Sequence, residues 1–185
     1  MVMTQSSSST AAESSHKRVE LLNRTTRFPN LRAAGRELAL QLQTHRARAG
    51  SIVMGIALGG VPVAHEAAIH LRLPFDLMLI RRLLAPQGTG SQICAVNLGI
   101  RSGSTMKAAI GALRTMKPER IIAAVPVASP EGHKVVASLA DELVCLAQPQ
   151  SFGHAGLWYE EFSRPGDDRV GDLLEKIRPS EPIST

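Results

Sequence analysis

Short apolar runs of strand length alternate along this chain with segments of helical period. The runs lie at residues 51–57, 75–80, 93–96, 120–127 and 143–146, and each is apolar throughout rather than on every second residue. Continuous apolar strands are the mark of a parallel sheet covered on both faces. Between them fall four amphipathic stretches. In the first, residues 30–45, Leu31, Leu38 and Leu42 share one side and Asn30 is placed to cap. A second helix is expected to open at Pro62, which suits a first helical position, and to end before Leu73-Pro74. A third carries Met106, Ile110 and Leu113, and a fourth covers residues 130–139. Strands alternating with helices predict an α/β fold, doubly wound around a five-stranded, mostly parallel sheet. The strand order 2-1-3-4-5 is one of the common solutions, with its switch point between the first and third strands.

Two glycine-bearing connections meet at that switch point. After the third strand stops at Asn97, the chain runs through Gly99, Ile100, Arg101, Ser102, Gly103, Ser104 and Thr105 straight into helix-period sequence. A strand–turn–helix of this kind aims several backbone N–H groups, and the positive end of a helix dipole, at one spot. Hydroxyls at positions 102, 104 and 105 and the charge of Arg101 add donors, so the turn reads as a cradle for a phosphate. The plainer alternative is an ordinary connection capped by Ser102 or Ser104. A Walker A loop is excluded by the missing Lys, and the glycine spacing at positions 55, 59 and 60 is not that of a dinucleotide fingerprint. The connection after the first strand carries Leu58, Gly59 and Gly60. Two such loops at adjacent strand ends make a ligand crevice.

Composition narrows the classes. The chain has 185 residues, 44% apolar, 20% charged and only 3% aromatic, with a formal net charge of +5. That length predicts one domain with a proper core. The positive charge is spread along the chain, with no zinc-finger spacing and no aromatic stacking platform, which argues against nucleic acid and for anionic small molecules. Neither an 18-residue apolar window nor the apolar core of a signal peptide occurs, so a cytoplasmic protein without a membrane span is expected. Residues 1–25 are Ser-rich and poor in large apolar side chains, and read as a disordered arm. Residues 26–165 read as the folded domain and 166–185 as a peripheral tail. Cys94 and Cys145 sit in apolar runs and are expected as buried free thiols. His65, His133 and His154 lack the spacing of a metal site.

Several stretches, in this order, resemble the type I phosphoribosyltransferases: residues 57–64 (ALGGVPVA), Arg81-Arg82-Leu83, residues 96–106 (VNLGIRSGSTM), residues 125–131 (VPVASPE) and residues 158–163 (WYEEFS). The likeness spans about residues 28 to 165 and is strongest to an uncharacterised bacterial branch ending in a Trp-Tyr-acidic-acidic-Phe block. The resemblance implies transfer of a phosphoribosyl group from phosphoribosyl pyrophosphate to a nitrogenous base, usually with magnesium. It makes residues 99–105 the 5′-phosphate loop, Asn97 and Leu98 the ribose-facing pair, and Leu58, Gly59 and Gly60 the pyrophosphate loop. Arg81 and Arg82 become candidates for anion contact, against the plainer reading of solvated strand-end charges.

The chain also departs from that family. Its acidic ribose-holding pair is here Asn97-Leu98, neither of them charged, and no Asp or Glu occurs between Leu77 and Pro118. A hard cation would find oxygen only on a phosphorylated ligand, so magnesium is expected with such a ligand and no metal site is expected in the protein itself. Leu58 stands where the resembling branch tends to carry Arg. Nine residues separate Arg82 from Gln92, where the family places a longer closing hairpin. The expected partner is a phosphorylated small molecule, and self-association is left open. An anion-cradling half thus persists while the ribose-holding and lid-closing parts are eroded. Two functions remain: a phosphoribosyltransferase of weak or altered activity, its catalytic residues unassigned, or a catalytically silent nucleotide-sensing or assembly module. Trp158 and Tyr159 either stack on a base or anchor the C-terminal segment, and Glu160-Glu161 could return acid to the site.

Overall fold

The computed structural model describes residues 27–78 and 92–163. The Ser-rich arm, Arg81 and Arg82, the connection carrying Pro86, Gly88 and Gly90, and the tail 166–185 lie outside the described residues.

Among the described residues, seven strands and four α-helices follow in the order β1 (Phe28–Asn30), α1 (Leu31–Gln41), β2 (Ser51–Ile56), α2 (Ala57–Leu71), β3 (Phe75–Met78), β4 (Gln92–Val96), α3 (Ser104–Arg114), β5 (Arg120–Val127), α4 (Pro130–Ala137), β6 (Glu142–Ala147) and β7 (Tyr159–Glu161). Five strands form one sheet in the order β3-β2-β4-β5-β6, every pair parallel. Counted without β1, this is the expected 2-1-3-4-5 order. The segments ending at Ile56 and Val96 are neighbours, with Gly55 opposite Val96.

Side chains along the strands alternate between two apolar layers. Val53, Cys94, Val96, Ile122, Ala124 and Val144 face α1 and α2, which contribute Leu31, Leu38, Ala64 and Leu71. Met54, Ile56, Ile93, Ala95, Ile121 and Ala123 face Met106, Ile110 and Leu113 of α3 and Val136 of α4. Burial on both faces explains why the strands carry no polar alternation. Asn30 caps α1, its side-chain oxygen accepting from the Ala33 N–H at 2.9 Å. Cys94 on β4 and Cys145 on β6 are free thiols with β5 between them, and burial pushes both up to about 12.

Two expectations need correction. The helix after β2 opens at Ala57 and not at Pro62, which lies inside it. Leu58, Gly59 and Gly60 therefore belong to its first turn and form no loop. The chain turns from strand to helix through Ala57 itself, at φ 57°, a left-handed conformation costly for a residue with a Cβ. Helix-period matching could not see this, because Pro62 offered a ready start signal. Secondly, β1 and β7 form a two-stranded parallel sheet, Phe28 opposite Tyr159 and Asn30 opposite Glu161. Strands of three residues carry no period, so the apolar pattern holds no sign of them.

Candidate anion site at the carboxyl end of the sheet

The turn from β4 to α3 is pinned from below by β5 and α4. The Ile100 N–H donates to the Val127 carbonyl (2.9 Å) and the Ile100 carbonyl accepts from the Ser129 N–H (2.8 Å). The Ser129 hydroxyl donates to the Arg101 carbonyl and accepts from the Gly132 N–H at 2.9 Å, capping α4 at the same time. Two loop carbonyls are thus consumed on the α4 side. Gly103 turns the chain into α3 at φ 78°, left-handed backbone that glycine adopts freely.

Helix α3 begins without a side-chain cap. Its backbone ladder includes the Lys107 N–H donating to the Gly103 carbonyl at 2.8 Å, so the N–H groups of Ser104, Thr105 and Met106 precede any helical acceptor. The Ser102 hydroxyl turns instead to the Ser104 hydroxyl at 3.2 Å. This counts against the ordinary capped connection: neither serine caps the helix. An open cavity of about 250 Å³ sits over these donors, lined by Asn97, Gly99, Ile100, Arg101, Ser102, Gly103, Ser104, Thr105 and Met106. Its lining holds one cation and no carboxylate. Such a donor set favours an anion and offers a divalent cation no carboxylate. Among the described residues no group of three or more His, Cys, Asp or Glu could hold a metal ion.

The other site residues read from the sequence fall differently. Asn97 lines the cavity, its amide oxygen accepting from the Leu98 N–H at 2.7 Å. Leu98 turns away into the α1/α2 layer and is 8% exposed. There it lies on Gly59: a Cβ built at Gly59 would stand 2.0 Å from Leu98 Cδ2. Gly59 and Gly60 are buried, and a Cβ at Gly60 would stand 2.7 Å from the Val96 carbonyl. The first turn of α2 is therefore seated against the end of β4. Arg81 and Arg82 lie outside the described residues.

The C-terminal block closes behind the loop. Tyr159 is buried, its hydroxyl donating to the Leu98 carbonyl and its ring 5.7 Å from those of Phe28 and Phe162. Burial pushes the phenol well above its usual range, so it stays a donor. Tyr159 is an anchor and is not available to stack on a ligand. Trp158 donates its indole N–H to the Phe152 carbonyl at 3.0 Å and borders a second cavity, of about 300 Å³, with Arg27, Ser151, Phe152, Gly153 and Leu157. Glu160 and Glu161 are exposed and do not line the anion cavity. His65 lies edge-on to Phe75, and burial lowers His133. The positioning roles of Ser129 and Tyr159 were missed. Nothing in the pattern tied either residue to the loop.

These features define an α/β protein with a polar, carboxylate-free cavity at its switch point, and known proteins share the architecture. A curated protein of Mycobacterium tuberculosis named "Putative phosphoribosyl transferase" is 27% identical over 201 aligned positions, covering 77% of this chain and 45% of the relative. The chain thus spans less than half the length of that relative. The crystal structure of TT1426 from Thermus thermophilus superposes with TM-score 0.72 at 25% identity, over 82% of this chain and 99% of that one. A protein of Aquifex aeolicus shares the fold at TM-score 0.52 and 15% identity, over 94% and 97% of the two chains. No family model matches. The chain has a five-stranded parallel α/β architecture and is similar to curated proteins named putative phosphoribosyl transferase, in line with the resemblance that the ordered motifs carry. No helix among the described residues is long and apolar enough to cross a membrane.

Proposed function

We propose that this protein binds a phosphorylated ribose, as phosphoribosyl pyrophosphate or a nucleotide, with its phosphate in the turn of residues 99–105, and that any transferase activity is weak or altered. The observation that carries this is the uncapped amino end of α3, opening into a cavity whose lining holds Arg101, three hydroxyls and no carboxylate. Thr105, Ser104 and the N–H groups beside them hold the phosphate, and Asn97 offers its amide to a ribose hydroxyl. The neutral Asn97-Leu98 pair supplies no charged partner for the sugar, and each lost charge-assisted hydrogen bond costs about 1.5–3 kcal/mol. Magnesium would arrive with the ligand's own phosphates.

The eroded-lid part of this reading rests on the sequence, where nine residues separate Arg82 from Gln92. A missing cover would admit water to a reactive oxocarbenium-like centre. The same two features, no acid and no cover, favour a second reading, a nucleotide-sensing module without turnover.

Calorimetry against ribose 5-phosphate, phosphoribosyl pyrophosphate and nucleoside monophosphates, with and without magnesium, tests the binding, and pyrophosphate release with a panel of bases tests the turnover. Binding with slow release of pyrophosphate supports the transferase; binding with none supports the sensor. No binding of any phosphorylated ligand overturns both.

A further inference from the structure

We propose that Leu98 sets the ligand preference of this site: it closes the second anion subsite at α2, so that a pyrophosphate carried on the sugar adds little to the affinity supplied by the 5′-phosphate. The inference rests on the phosphate-cradle reading and goes one step past it. Helices α2 and α3 start at the ends of the paired strands β2 and β4, and neither has a side-chain cap. Two sets of unsatisfied N–H groups therefore lie side by side, and a ligand with two anionic groups would be expected to use both.

Only one of the two is open. At α3, Arg101, Ser102 and Ser104 are exposed around the cavity. At α2, Gly59 and Gly60 are buried, and a Leu98 methyl occupies the space over Gly59 where a Cβ would stand, at 2.0 Å. The leucine is held at its backbone on both sides. Its N–H donates to the Asn97 amide oxygen at 2.7 Å and its carbonyl accepts from the buried Tyr159 hydroxyl. Its side chain belongs to the core cluster of Val96, Ala64 and Tyr159. Swinging it out would expose apolar surface and leave a void under α2. A phosphate brought against it in place would lose water and gain no donor, an unfavourable exchange for a charged group. A sugar anchored by one phosphate at α3 makes no such demand.

The test is calorimetry of the full chain with magnesium, against ribose 5-phosphate and phosphoribosyl pyrophosphate, on the wild type and Leu98→Ala. The wild type is expected to bind the pyrophosphate no more than about fivefold tighter than ribose 5-phosphate, and Leu98→Ala to raise the pyrophosphate-to-monophosphate affinity ratio by at least that factor. A larger wild-type preference for the pyrophosphate, or a smaller change of ratio in folded Leu98→Ala, overturns the proposal while the cradle stands. If the variant does not fold, the wild-type ratio decides alone. If the wild type binds neither ligand, the cradle reading fails and this inference falls with it.

Discussion

Replacing Gly103 by alanine perturbs the cradle at its hinge. Two costs can be read from the geometry. The residue sits at φ 78°, where a Cβ costs about 1–2 kcal/mol. The new methyl would also stand 3.0 and 3.1 Å from Val135 Cγ1 and Cβ, so α4 must yield by a few tenths of an ångström, at about 1 kcal/mol. Stiffening the unfolded chain returns about 0.4–1 kcal/mol. The net loss is about 1–3 kcal/mol, which at about 2–4 °C per kcal/mol lowers Tm by several degrees. The Val135→Ala partner separates the two costs in part, because it removes Cγ1, the nearer of the two contacts, keeps Cβ and leaves φ untouched. Adding it should recover about 1 kcal/mol at most in a double-mutant cycle. Relaxing φ re-aims the N–H groups of Ser104 and Thr105, so affinity for ribose 5-phosphate should fall at least about tenfold. Differential scanning calorimetry and titration calorimetry read the two effects. A Gly103→Ala protein with wild-type Tm and wild-type affinity would refute both the strain argument and the cradle.

Three further outcomes follow from contacts elsewhere. Tyr159→Phe keeps the ring between Phe28 and Phe162 but leaves the Leu98 carbonyl buried without its donor, so chemical denaturation should show a loss of about 1–3 kcal/mol; no loss would mean that Tyr159 does not anchor the loop. Asp141 is held below its usual carboxylate range by the Arg114 guanidinium (2.9 Å), with the Ile121 N–H (2.7 Å) helping. Its contribution is present above pH 3.8 and is lost as pH falls through the depressed folded-state value; solvent exposure keeps it to about 1 kcal/mol or less. Acid unfolding of Asp141→Asn should therefore be flatter below pH 3.8 than that of the wild type, and identical curves would remove the ion pair from the account. Cys94 and Cys145, both pushed up to about 12 by burial, should resist a thiol reagent at pH 8 in the native protein and give two free thiols on denaturation without reductant; a count of zero would mean a disulfide.

The sheet was legible because burial on both faces writes itself into sequence as unbroken apolar runs. β5 was read to the residue, and its partners to within a residue or two except β3, whose expected end at Ile80 lies outside the described residues. The turn at 99–105 was legible as well, since glycine and hydroxyl residues between a strand and a helix have a local cause. What stayed hidden depends on contacts far apart in the chain. Leu98 pairs with Gly59 across 39 positions, and Tyr159 reaches Leu98 across 61. Neither leaves a periodic trace. Reading Leu98 as a lost acid says nothing of its placement: the leucine has joined the core and lies against Gly59 in the first turn of α2. The early start of α2 was missed because a strained alanine, and not a glycine or proline, makes the turn.

The central claim is that phosphate is held by the backbone at the start of α3. Backbone amide NMR of the labelled protein, titrated with ribose 5-phosphate, tests it residue by residue. The largest shifts should fall on the N–H groups of Gly103, Ser104, Thr105 and Met106, with those of Gly59 and Gly60 nearly still. Saturating ligand that leaves residues 103–106 unmoved, or that moves Gly153 and Trp158 beside the second cavity instead, would contradict the account.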